Sequence, residues 1–280
     1  MTEPQSASID PTSARPQSEP PPFVAIEGDD RTGILVICDH ASNRVPAAYG
    51  SLGLPAAEFE RHIGYDIGAA AVTEALAARL GAPALMTTFS RLLIDPNRGE
   101  DDPTLVMRLS DGAVVPGNAR VDAAERELRL ETYHRPYHRA IEARLDSMLA
   151  AGIVPLVVSI HSFTPVWRGT PRPWHAAVLW DSDPRAALPM IAQLRADPAL
   201  VVGDNEPYDG ALRGDTLYRH ATRRGIAHAL LEIRQDLIAD RGGATAWAER
   251  LVPIVQAIRA RPDVAEIRHF GSRTGPMEIG

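Results

Sequence analysis

The sequence predicts an α/β protein: a single three-layer α/β/α domain built on a mostly parallel mixed sheet. Three observations carry that expectation. Short apolar runs of strand length alternate with longer amphipathic runs of helical period, the pattern of a sheet covered by helices on both faces. The apolar runs are nearly continuous in Val, Ile and Leu, as strands buried on both sides require. Two of them end in histidine, and the carboxyl ends of strands are where open α/β sheets bind ligands.

The elements follow in order. Residues 1–22 are rich in Pro, Ser, Glu and Thr and lack an apolar block, so a disordered tail is expected there, neither signal peptide nor anchor, with the domain over 23–280. Gly33-Ile34-Leu35-Val36-Ile37-Cys38 reads as a strand running into Asp39-His40. A helix is expected from Asp66, stopped by Gly81 and followed by Pro83. Ala84 to Phe89 is the next strand. A long charged helix over about Asp122 to Ala151 ends at Gly152, and Val154 to Ile160 is a strand that delivers His161 between Ser159 and Ser162. Ala176 to Trp180 is a further strand, Pro184 to Arg195 a helix, and Leu200 to Val202 a short strand. After a helix over Thr216 to Arg223, the strand Ala227 to Arg234 brings Glu232 to its end, and Thr245 to Arg259 closes the chain as a helix.

Composition narrows the function. The chain has 280 residues, 45% of them hydrophobic, enough for one large core. Its formal charge of −7 gives no basic footprint for nucleic acid. No apolar run reaches the length of about 18 residues that spans a bilayer. A soluble cytoplasmic protein acting on a small molecule is the remaining expectation, with a homo-oligomer left open. The single cysteine, Cys38, has no partner for an internal disulfide and reads as core.

The polar strand ends supply the chemistry. A zinc hydrolase needs three protein ligands, an open position for water and a carboxylate to take that water's proton. His40, His161 and Glu232 each sit at a strand end, and Asp66 stands where a helix start would favour a carboxylate. Asn43, three residues after His40, has ligand spacing, but a neutral amide is a poor zinc ligand. If Arg44 to Tyr65 is an insertion, Asp66 takes the third place instead. Asp39 is a weaker rival, since adjacent strand residues point to opposite faces, and would suit holding a ligand in place. Arg91 and Arg98 follow a strand, where one guanidinium could grip a carboxylate and the other an oxyanion. His134 and His138, four apart, could face a metal from one helix, although Pro136 disturbs it. His62 reads as structural, and Trp167, Trp174 and Trp180 as core or pocket wall.

These residues resemble the N-formylglutamate amidohydrolase family. The resemblance rests on Asp39-His40-Ala41-Ser42-Asn43-Arg44-Val45-Pro46, Tyr65-Asp66-Ile67-Gly68-Ala69, Asp95-Pro96-Asn97-Arg98, Ser159-Ile160-His161-Ser162-Phe163 and Leu231-Glu232-Ile233-Arg234-Gln235-Asp236-Leu237. More remotely, the motifs are similar to those of zinc carboxypeptidases and aspartoacylase-type deacylases, which implies a fold of that kind. The resemblance implies one Zn2+ held by His40 and His161, with Asp66 our choice for the third ligand. It implies Glu232 as general base and then acid, Arg91 polarising the scissile carbonyl, and Arg98 with Asn97 on a substrate carboxylate. Ser162 and Arg234, within the same motifs, complete the candidate substrate contacts. The implied activity is hydrolysis of an N-acyl amino acid, nominally N-formyl-L-glutamate to formate and L-glutamate. Two alternatives stand beside it: a carboxypeptidase-like amidase on another acyl amino acid or short peptide, and a non-catalytic small-ligand binding protein.

Overall fold

The computed structural model describes residues 19–277. A seven-stranded sheet forms the middle layer. Its strands in chain order are β1 (Phe23–Ile26), β2 (Ile34–Cys38), β3 (Ala84–Thr87), β4 (Leu156–Phe163), β5 (Ala176–Leu179), β6 (Val202–Asp204) and β7 (His228–Arg234). They lie side by side as β1-β3-β2-β4-β7-β5-β6. The central pairs β3/β2, β2/β4 and β4/β7 are parallel, as is β5/β6, whereas β1/β3 and β7/β5 are antiparallel. The mixed, mostly parallel sheet is therefore as expected.

Strand alternation divides the core in two. Ile34, Val36 and Cys38 face a layer formed by helices α1 (Ala69–Leu80), α4 (Pro184–Arg195) and α6 (Arg241–Arg259). Leu35 and Ile37 face the other way, onto Tyr137, Ile141 and Leu145 of α3 (Arg135–Ala150) and Leu217 of α5 (Thr216–His220). Leu35 and Ile37 are fully buried, so truncating either to Ala should cost about 2–5 kcal/mol. A third cluster of Leu52, Ile63, Phe89, Leu93, Leu105 and Leu130 packs the long excursions after β2 and β3 against each other. The segment Arg44 to Tyr65 is thus folded onto its own core, with a short helix at Ala56–Phe59.

Several boundaries differ from expectation for identifiable reasons. The expected tail lies outside the described residues as far as residue 18, but residues 19–22 lie against the domain. The Glu19 carboxylate accepts from Ala47 N at 2.7 Å and from Arg44 at 2.9 Å, and Pro22 O accepts from Thr88 N at 3.1 Å. The long helix expected near residue 122 is α2 (Ala123–Arg129), a π-helical turn Leu130–His134, and then α3. Pro136 has no N–H and sits in the first turn of α3, where none is needed, so the wider π turn absorbs the disturbance. The helix expected from Asp66 begins at Ala69, with Gly68 as its N-cap. Asp66 precedes the helix instead of opening or capping it.

Candidate active site

The site is built at the carboxyl ends of β2, β4 and β7. In the parallel register of β4 and β7, Glu232 lies opposite His161. Both side chains leave the same face of the sheet, the one on which Val157, four residues before His161, and Leu230, two before Glu232, are buried. His40 follows β2 by two residues. Its carbonyl accepts from Asp66 N at 2.9 Å, and this bond, not a helix dipole, brings the carboxylate to the histidines. The turn after Asp66 requires glycine: Gly68 has φ +82°, and a Cβ there would stand 2.2 Å from Ile238 O.

His40, Asp66 and His161 each offer a ligand atom, and these atoms all lie within 4.8 Å of one another. Asp66 Oδ2 is 2.8 Å from His161 Nδ1 and 3.3 Å from His40 Nδ1. The far nitrogen of each imidazole meets a second carboxylate: His40 Nε2 lies 2.7 Å from Asp95 Oδ1, and His161 Nε2 lies 3.2 Å from Asp39 Oδ2. A carboxylate that fixes the proton on Nε2 leaves the Nδ1 lone pair for a metal, the arrangement that orients histidine ligands in zinc sites. Two imidazoles and one carboxylate make a donor set suited to a divalent ion such as zinc, with room for a further ligand. The donors fit.

Electrostatics follow the geometry. Burial alone would raise the Asp66 pKa, but His40 and His161 outweigh it and hold the carboxyl below its usual range. Burial would depress His161, but its bonds to Asp39 and Asp66 raise it well above 6.5. Asp95 is likewise held well below 3.8, because the Arg91 guanidinium and His40 overcome the cost of burial. Glu232 is pushed the other way, to about 7, chiefly by burial. Its Oε2 is buried without a hydrogen-bond partner among the described residues.

A cavity of about 400 Å³ opens over this cluster. His40, Asp66, His161, Glu232, Arg91, Asn97, Arg98 and Ser162 all line it, so the structure brings together eight of the nine expected site residues. Arg91 donates to Asp95 Oδ2 at 2.8 Å, with Nη1 3.6 Å from Asp66 Oδ1. Arg98 donates to Asn97 O and Thr104 Oγ1, and no carboxylate pairs with it among the described residues. Ser162 reaches the cavity, but its hydroxyl donates to Ile67 O at 2.9 Å and so braces the Asp66 turn. Arg234 is the exception. It does not line the cavity; its guanidinium pairs with Asp236 at 2.7 Å and caps the carbonyls of Arg172 and Trp174. Asn43 lies apart from the triad, its amide donating to Phe59 O at 3.1 Å and Glu60 Oε1 at 3.2 Å.

Sequence reasoning missed part of the site. Asp95 was visible only as the start of Asp-Pro-Asn-Arg, with no signal that it would hold His40. Asp39 holds His161 through one oxygen, while its other oxygen accepts from Tyr137 and Thr216, both at 2.9 Å. His62 lines the cavity mouth with Asp111 and Trp167, its ring edge-on to the indole at 5.8 Å. Asp215, a buried cavity residue capping α5, is raised to about 7, chiefly by burial. Neither Asp111 nor Asp215 stands in a pattern that marks it.

Comparison with known proteins places the chain in a family. The crystal structure of the gene product Atu2144 from Agrobacterium tumefaciens has a TM-score of 0.80 and 34% sequence identity, covering 85% of this chain and 95% of that one. N-formylglutamate amidohydrolase from Ralstonia eutropha JMP134 shares the fold with a TM-score of 0.61 at 23% identity, covering 85% of this chain and 97% of that one. No curated protein matches in sequence. Residues 32–239, which span every strand end described above, match the family described as N-formylglutamate amidohydrolase, and the chain belongs to that family.

Proposed function

We propose that the protein hydrolyses the amide bond of an N-acyl amino acid, with N-formyl-L-glutamate the first substrate to test, using one divalent ion held by His40, Asp66 and His161. The observation that carries this reading is the buried, unpartnered Oε2 of Glu232 in the cavity over the triad. A carboxylate desolvated there, with its pKa raised to about 7, has the proton affinity a general base needs near neutrality. A purely binding protein would gain nothing from it.

A bound zinc ion would polarise the substrate carbonyl and acidify the attacking water. The protein's own groups do the rest. Glu232 Oε2 takes the proton as the water oxygen bonds to the carbonyl carbon. Arg91, fixed by Asp95 and Asp66, faces the cavity with a cation for the developing oxyanion. Glu232 then gives its proton to the amine nitrogen as the C–N bond breaks, yielding formate and the free amino acid. Arg98, unpaired with any described carboxylate, and Asn97 beside it are suited to a substrate carboxylate. Ile63, His62 and Trp167 narrow the mouth, which favours small substrates.

The test is formate release from a panel of N-formyl amino acids by zinc-loaded protein, compared with Glu232→Gln. The variant should keep its metal and lose about 10²- to 10⁴-fold in kcat. Near-normal turnover by metal-loaded Glu232→Gln would overturn the mechanism. Turnover of other acyl amino acids or short peptides, with none of formyl substrates, would move the assignment to the carboxypeptidase-like alternative.

A further inference from the structure

Three histidines outside the triad form a second buried cluster. His134, His138 and His220 are 0%, 4% and 3% exposed. The rings of His134 and His138 lie 4.3 Å apart, and His138 stacks on His220 at 5.1 Å. Their partners are all neutral. His134 Nε2 meets Arg98 O at 3.0 Å, His138 Nε2 meets Pro96 O at 3.0 Å, and His138 Nδ1 meets His220 Nε2 at 2.8 Å.

These contacts dictate the proton positions. A carbonyl oxygen only accepts, so His134 and His138 must both carry hydrogen on Nε2. Burial keeps His138 neutral, its pKa well below 6.5, so its Nδ1 accepts and His220 Nε2 must donate. The result is a one-way chain, His220 to His138 to the Pro96 carbonyl, with His134 holding the Arg98 carbonyl beside it.

The carbonyls so held belong to the loop Asp95-Pro96-Asn97-Arg98. Asp95 accepts from Asn97 N at 2.9 Å and from Arg98 N at 3.2 Å within the loop, and is anchored outside it by Arg91 and His40. Asn97 and Arg98 have lighter support. The Asn97 side-chain oxygen accepts from Thr216 N at 3.1 Å, and Thr216 stands one helical turn before His220 on α5. This support comes from the π turn (His134), α3 (His138) and α5 (Thr216 and His220); α3 and α5 also hold Asp39, through Tyr137 and Thr216, by bonds separate from the relay.

We infer that His134, His138 and His220 are positioning residues: a hydrogen-bond relay that sets the backbone carrying Asn97 and Arg98, and so aims these two side chains at the substrate carboxylate. The role of Asn97 and Arg98 in carboxylate binding rests on the function proposed above. Because Asp95 keeps its anchors on Arg91 and His40, outside the relay, losing the relay displaces the carboxylate grip and leaves the metal ligands in place.

The experiment has two arms on the full chain. In the first, zinc-loaded His138→Phe and His138→Gln are compared with wild type on an N-formyl amino acid and on the same substrate with its α-carboxylate capped as an amide. Removing the donor in His138→Phe should raise KM about tenfold or more, with kcat and zinc content near wild type. His138→Gln, which retains an N–H donor, should recover much of that loss, and the capped substrate should not distinguish the three proteins. Equal losses on both substrates, or an unchanged KM in folded His138→Phe, would overturn the relay. In the second arm, nitrogen NMR of histidine-labelled wild type reads the tautomers with no substitution. Hydrogen on Nε2 of His134 and His138 is required; hydrogen on Nδ1 of His138 rejects the proposal, even if His138→Phe does not fold. Wild type inactive on every formyl substrate would remove the proposed function, while the tautomers would still decide the relay.

Discussion

The molecule buries two histidine clusters that contact the loop Asp95 to Arg98 a few residues apart, and they are electrostatic opposites. His161 stands between two carboxylates, Asp66 and Asp39, which overcome burial and raise its pKa well above 6.5. His138 is equally buried, but its neighbours are a carbonyl and two other imidazoles, and its pKa falls well below 6.5. Residue type and burial are the same. The partner decides whether an imidazole belongs to a cation site or a neutral scaffold: carboxylates on both edges make a place for positive charge, whereas carbonyls fix a neutral tautomer.

The contrast can be broken by exchanging partners. The largest effect is expected at Asp66. Asp66→Asn removes the only carboxylate among the three candidate ligands, so bound zinc and formate release should both fall to background, measured by metal analysis alongside turnover. Retention of stoichiometric zinc by this variant would place the ion elsewhere. Asp95→Asn should act less severely, because it leaves all three candidate ligands in place and weakens only the support of His40 Nε2 and of Arg91. Zinc affinity should weaken about 10- to 100-fold in a competitive chelator titration.

The neutral cluster should respond to pH instead of chelators. Burial lowers the His134 pKa from 6.5 to about 4. The unfolded chain therefore takes up this proton first, so the contribution to stability is whole above pH 6.5 and declines as the pH drops towards 4. One such histidine costs the folded state about 3 kcal/mol by pH 4. Denaturant unfolding at pH 7 and pH 4.5 should show that decline in wild type and a shallower one in His134→Leu; parallel declines would contradict it. The smallest effect belongs to Arg234, which is occupied by Asp236 near the surface. Arg234→Gln should change kcat/KM by less than about threefold, and a hundredfold loss would restore it to the substrate site.

The two clusters also differ in how far the sequence discloses them. His40, His161 and Glu232 are legible because each ends an apolar strand, and strand ends in an α/β sheet converge. Asp66 is legible as a residue but not as a position, since a hydrogen bond to His40 O and the backbone freedom of Gly68 place it. Asp95 and Asp39 as supports for the histidines depend on loop paths with no local signal. The neutral cluster is the least legible. His134 and His138 show helical spacing, which suits metal binding and loop support equally, and His220 joins them only through tertiary packing. At the level of the fold, β1 is absent from the reading because its four residues include two exposed ones and no buried run. The seven-stranded order itself follows from packing, since strand alternation alone does not rank neighbours.

The central claim, that one cluster binds a metal and the other holds a loop, is tested most directly by a crystal structure of the zinc-loaded protein with anomalous data at the zinc edge. One peak is expected, about 2.0–2.2 Å from His40 Nδ1, His161 Nδ1 and an Asp66 carboxylate oxygen, with Glu232 facing its open side. A peak at His134, His138 or His220, or no peak at the triad in zinc-saturated crystals, would contradict it.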